Sequence, residues 1–184
     1  METTLKKNAA RLAVLSVGIG ILFIASLASP THLDVANAQQ NNTLTQSNAV
    51  EEKNKALVLE GFDTLFNQRD YVAAERYWSP NYIQHSAHIE PGREGLFNLV
   101  KSSPPTLKYE PGTIVADGDF VIVHGKFSGL GQPVNWIAAD ILYIKDGVMV
   151  EHWDVIQDEA SQEQSKSGLP MFGDKFPNNS SRTN

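Results

Sequence analysis

The stretch Trp136–Asp158, WIAADILYIKDGVMVEHWDVIQD, limits the possible folds more than any other part of the chain. Two runs rich in β-branched and aromatic residues flank Asp146-Gly147. That dipeptide is favoured in a two-residue type I′ turn because both central positions need φ > 0. The turn sets Lys145 opposite Val148, and regular alternation then puts Ile144 opposite Met149, Leu142 opposite Glu151 and Asp140 opposite Trp153. Asp140 is thus a charged group inside an apolar strand, among Trp136, Ala138, Leu142 and Trp153. A carboxyl group there is poorly hydrated, and desolvation raises its pKa toward neutrality. A general base or acid is built this way. The alternative is a structural Asp tied to backbone N–H groups or to a lysine.

The opposite face of the same strand carries Ile137, Ala139, Ile141 and Tyr143. An antiparallel sheet usually leaves one face wet, so two apolar faces need two covers. Helices supply one, and a second subunit is the simplest source of the other, which predicts a homodimer.

The N-terminus points to export. Lys6, Lys7 and Arg11 precede an apolar run from Leu12 to Leu27, and Ala36-Asn37-Ala38 follows before a polar segment opens at Gln39. This is the order of regions in a secretory signal peptide, so residues 1–38 read as a leader cleaved after Ala38. The expected location is periplasmic or extracellular, with no stable membrane span after cleavage. An uncleaved anchor is the alternative, although the run falls short of the roughly 20 residues of a comfortable span. The chain has no Cys, so neither disulfides nor thiol chemistry is available to it. Beyond the leader, which carries Lys6, Lys7, Arg11, Glu2 and Asp34, there remain 12 basic and 19 acidic side chains, a formal charge of −7. A mildly acidic chain without a basic patch is poorly suited to nucleic acid, where phosphate neutralisation supplies most of the affinity.

Residues 39–49 read as a polar linker and 174–184 as a polar tail. Between them, residues 50–173 make one domain with one core. Apolar residues at helical spacing predict a helix over Val50–Asn67. Asp70 can cap a short second helix through Trp78, stopped by Ser79-Pro80, and Pro91 can start a third that runs to about Lys101. Tyr109–Ala116, Phe120–Ser128, Val134–Ile144 and Val148–Gln157 then read as consecutive strands. Helices followed by an antiparallel meander give an α+β domain.

With YIQHSAHIEPGREGL before the third helix and ADILYIKDGVMVEHWDVIQ at the end, residues 50–173 resemble the SnoaL-like polyketide cyclase group of the nuclear transport factor 2-like superfamily. Within it the chain is most similar to the branch predicted to catalyse aldol condensations. The resemblance implies a cone, with three N-terminal helices roofing a curved antiparallel sheet around an apolar pocket. It also implies dimers through the outer sheet face, and an inner-strand Asp acting as acid/base on a carbonyl substrate, helped by polar neighbours such as His.

Asp140 matches that position by strand and face, and is the expected base. His124 lies on the neighbouring strand. An even register sum across the Gly129–Pro133 connection puts it on Asp140's face, and an odd sum on the other. In the pocket it would bond an enolate oxygen or shuttle a proton; otherwise it is a hydrogen-bonded core histidine. His85, from the region that rims the pocket in this family, is the third catalytic candidate, with a solvated loop histidine as the alternative. Tyr82, Phe97, Trp136 and Trp153 are core or pocket-wall residues fit to contact a hydrophobic ligand.

His152 and Asp154, adjacent to Trp153, are expected to point away from Asp140, and Glu151 toward its side. Arg93 reads as a surface residue at a helix start. His85-x-x-His88-x-Glu90 is too loose for a metal site, so neither metal nor cofactor is expected. Leu169–Asp174 is a candidate plug for one end of the cone. The expected partner is a small hydrophobic carbonyl-containing ligand. The expected function is cofactor-free aldol-type cyclisation, isomerisation or a lyase step, with ligand binding without turnover as the alternative.

Overall fold

A computed structural model describes residues 32–177. Helix α1 (His32–Phe62) closes on a wider turn at Asp63–Asn67. A short helix α2 (Tyr71–Ala74) follows, capped by the Asp70 carboxylate, which accepts from the Ala73 N–H at 3.0 Å. Strand β1 (Trp78–Gln84), helix α3 (Gly92–Ser102) and strands β2 (Lys108–Asp117), β3 (Phe120–Ser128), β4 (Trp136–Lys145) and β5 (Val148–Asp158) complete the order.

The leader expected over residues 1–38 lies largely outside the described residues, and its Ala36–Ala38 site falls in the opening turns of α1. Residues 39–49 continue that helix as an exposed stretch. Gly and Pro are absent between His32 and Glu60, so nothing in the chain interrupts the backbone hydrogen bonds. Among the described residues no helix is long and apolar enough to cross a membrane.

The sheet order is β1-β5-β4-β3-β2. Strands β2 to β5 form the expected antiparallel meander, and β1 adds a parallel edge beside β5. Ser79-Pro80 therefore sits in a strand instead of ending a helix. An edge strand tolerates a residue that cannot donate to the ladder. The sheet is curved and unclosed, and the helices pack on its concave face. The fold is α+β, as expected. Phe62, Phe66, Trp78, Phe97, Tyr109 and Phe127 join in the core by ring contacts of 4.8–6.1 Å.

Two polar clamps anchor the segment that follows α1, one to the sheet and one to α3. The Asn67 side chain donates to the Tyr109 carbonyl at 3.0 Å and accepts from the Tyr109 N–H at 2.9 Å, in place of a missing strand partner. The Arg69 guanidinium donates to the carbonyls of Val100, Ser103 and Pro104 and so caps the end of α3.

The β4–β5 hairpin turns as expected, with Asp146 at φ 52° and Gly147 at φ 78°. Lys145 pairs with Val148 and Ile144 with Met149. Then the register shifts: Tyr143 pairs with Glu151, which leaves Val150 as an extra residue on β5. Such a bulge reverses which face every later residue occupies. Asp140 therefore pairs with Asp154, Leu142 with His152 and Ile141 with Trp153. The expected pairings of Asp140 with Trp153 and of Leu142 with Glu151 are both corrected by this one residue.

Candidate functional site

Below the bulge, β4 and β5 turn Trp136, Ala138, Asp140, His152, Asp154 and Ile156 to the concave face. With Phe62, Phe66, Tyr82, Leu96, Phe127 and others they line a cavity whose empty space, counted out to its open mouth, is about 570 Å³. The walls are mainly aromatic and aliphatic, with Asp140, His152 and Asp154 grouped together among them.

Asp140 is 3 % exposed and His152 4 %. His152 Nε2 lies 3.1 Å from Asp140 Oδ1, and its Nδ1 lies 2.8 Å from Gln84 Oε1. The Gln84 oxygen also accepts the Ser86 backbone N–H at 2.9 Å, which fixes the orientation of the amide. Nδ1 must then be the donor to Gln84. Nε2 is left to share one proton with Asp140, as neutral imidazole beside a carboxylic acid or as imidazolium beside a carboxylate. Burial pushes the Asp140 carboxyl above its ordinary range; the His152 hydrogen bond and charge pull it back, and Asp154 pushes it up again. The second oxygen, Oδ2, is buried and has no hydrogen-bond partner.

Tyr82 and Tyr109 both sense the charge of Asp140, and burial raises both phenols well above their ordinary pKa. Each therefore stays protonated as a potential donor. Room for Tyr109 comes from β3: a Cβ on Gly125 would fall 2.5 Å from the Tyr109 ring and 2.6 Å from its hydroxyl.

Asp140, His152 and Asp154 each offer a ligand atom within 4.8 Å of the others, a spacing a divalent cation could bridge. Both ring nitrogens of His152 are already engaged, by Asp140 and by Gln84, an arrangement suited to sharing a proton.

The remaining candidates divide by face. Tyr82 and Trp136 line the cavity, with exposed His88 tilted against Trp136 at 5.1 Å. Phe97 is buried in the core behind it, against Trp78 at 5.7 Å. His124 pairs with Ala139, the odd-sum outcome, so it faces the convex side, with its ring 5.6 Å from Phe172. His85 is also outside, stacked on Trp153 at 4.9 Å and bonded to Glu151 at 2.7 Å. The structure thus corrects the expected pocket positions of His124, His85 and Trp153, along with Glu151. His152 and Asp154, expected to point away, face Asp140. Phe172 lies over Gly112, His124 and Lys126 on the convex side, and no residue of Leu169–Asp174 lines the cavity, so the segment is not its plug. Arg93 lies beside Glu75 and Glu94 at the start of α3.

A helix-roofed curved sheet around an apolar cavity with a buried carboxyl–imidazole pair defines a small-molecule binding or catalytic domain. Residues 58–152, just over half of the chain, match the SnoaL-like domain, and the chain belongs to that family. No functionally curated protein matches it. Among solved structures it is similar to a candidate ketosteroid isomerase from Kribbella flavida, at 19% identity and a TM-score of 0.55, covering 69% of this chain and 97% of that one. A nuclear transport factor 2-like protein of unknown function from Cytophaga hutchinsonii matches at 18% identity and a TM-score of 0.50, covering 56% and 89%. AclR, a candidate hydroxylase from Streptomyces galilaeus, is 30% identical over 58% of this chain and 90% of its own, with a TM-score of 0.48. The first two likenesses bear on the fold alone.

Proposed function

We propose that the protein moves a proton on a hydrophobic carbonyl compound held in the cavity, with Asp140 as base. The observation that carries this reading is Asp140 Oδ2, a buried carboxyl oxygen without a partner, on a side chain whose other oxygen is held by His152. Oδ2 accepts the proton from the carbon α to the ligand carbonyl. The electron pair of the broken C–H bond passes into an enolate, whose oxygen takes a hydrogen bond from the Tyr82 hydroxyl. The enolate attacks a second carbonyl of the same molecule, whose oxygen becomes an alkoxide and takes the proton back from Asp140, or it is reprotonated at another carbon by Asp140. Aldol-type closure and isomerisation share this first step, which needs only protons carried by side chains.

The leader motif supports export, so that this chemistry takes place outside the cytoplasm. A homodimer is supported by the convex face, where Phe120, Ile122 and Val155 are exposed and Phe120 stacks on Tyr143 at 5.0 Å. The test of the catalytic reading is deuterium uptake from D₂O at the α-carbon of apolar cyclic ketones, followed by NMR. Uptake by the wild type should fall about 10²–10⁴-fold in Asp140→Asn. Ketones that bind without any Asp140-dependent exchange would leave a binding protein.

A further inference from the structure

Two carboxyl groups, Asp140 and Asp154, stand together in the cavity wall. No Lys or Arg lines it; Arg69 is engaged by α3 carbonyls and Arg93 lies beside Glu75 and Glu94. Asp154 lines the cavity half-buried and makes no hydrogen bond or ion pair with any described residue. A few ångströms away, within the 4.8 Å span of the trio, lies Asp140, 3 % exposed, with Oδ2 unpartnered. Wherever the shared proton sits, the Asp140–His152 pair is neutral, so Asp154 leaves the trio with one net negative charge. Unpaired carboxylate oxygens beside apolar walls are costly until a donor reaches them.

From this we infer that the cavity selects ligands whose apolar body carries an N–H or O–H donor, a hydroxyl or a protonated amine, directed at Asp154, and that it rejects anionic ligands such as carboxylates and phosphates. The inference deepens the reading of the cavity as a carbonyl-ligand site. It adds a second contact point, with Asp140 meeting the reacting carbon and Asp154 holding the donor. Asp154 is then a specificity-determining residue, and acidic or phosphorylated substrates are excluded by charge.

The test uses the full-length chain and four compounds with one two-ring body: 2-naphthylmethylamine, 2-naphthalenemethanol, 2-methylnaphthalene and 2-naphthoate. Binding is read by calorimetry and by tryptophan fluorescence, since Trp136 lines the cavity. The amine and the alcohol should bind roughly 10–100-fold more tightly than the hydrocarbon, the ratio a hydrogen bond to a charged group supports. Naphthoate should bind most weakly. Asp154→Asn and Asp154→Leu, each checked for an unchanged circular dichroism spectrum, should erase the advantage of the amine while hydrocarbon binding persists. An amine ahead of the alcohol identifies charge as the dominant contact, and parity identifies the neutral hydrogen bond; both support the inference. Naphthoate binding as tightly as the amine, or a donor preference that survives in both variants, overturns it while leaving the ketone-exchange reading intact. Failure of all four compounds, the hydrocarbon included, overturns the ligand cavity itself.

Discussion

Replacing Asp140 by Asn should make the protein more stable and less active at once. The folded state holds the Asp140 carboxyl above its ordinary pKa, mainly through burial, so it keeps that proton to higher pH than the unfolded chain does. Where the folded state binds more protons, stability falls as pH rises, here from about pH 4, the ordinary Asp value, up through the folded pKa. Each unit of elevation corresponds to about 1.4 kcal/mol once the group is ionised. The amide of Asn keeps the shape, does not titrate, and can donate to the His152 Nε2 lone pair that the Gln84 contact leaves exposed. Its oxygen takes the place of Oδ2, so a buried unpartnered position that could carry charge is held by a neutral carbonyl, which is cheaper to desolvate. The variant should therefore gain about 1–3 kcal/mol over wild type near pH 8 and little or nothing near pH 4. Urea unfolding at pH 4, 6 and 8, with unchanged m-values, measures this directly. A variant less stable than wild type at every pH would refute the reasoning and return Asp140 to a structural role.

Gln84→Leu should release the His152 tautomer, lowering kcat for ketone exchange and shifting its pH profile with little change in ligand affinity; a pH profile identical to wild type would count against the assigned hydrogen bond. Gly125→Ala should cost roughly 1–3 kcal/mol in chemical denaturation, because the added methyl meets the Tyr109 ring at 2.5 Å; full stability would mean that the ring moves freely. Ile141→Lys should convert a dimer to monomer or aggregate in light scattering, since a charge would have to be desolvated on the convex face; a monomeric wild type at high concentration contradicts the dimer.

The hairpin shows how far the sequence could be read. Asp146-Gly147 identifies its own turn, and Asp140 reaches the concave face as alternation along β4 requires. What fails is the parity of β5. Val148, Met149 and Val150 are three apolar residues in a row, a break in period-two alternation that marks where an extra residue is absorbed, and it was the available signal. Strict alternation past that run carries Trp153 inward and sends His152, the true partner of Asp140, outward. Gln84 was missed for a different reason. It meets His152 only because β1 returns as a parallel edge beside β5, a contact across 68 positions without local signature. His124 depended on the length of an irregular connection, which fixes parity only once its path is known.

The central claim is that Asp140 and His152 share one proton inside the cavity. NMR on protein labelled with ¹³C at Asp carboxyls and ¹⁵N at His rings tests it most directly. The account predicts an Asp140 carboxyl that titrates clearly above the ordinary Asp range, and a His152 ring that keeps its proton on Nδ1. An Asp140 that titrates near pH 4, beside a His152 protonated on Nε2 alone at neutral pH, would contradict it.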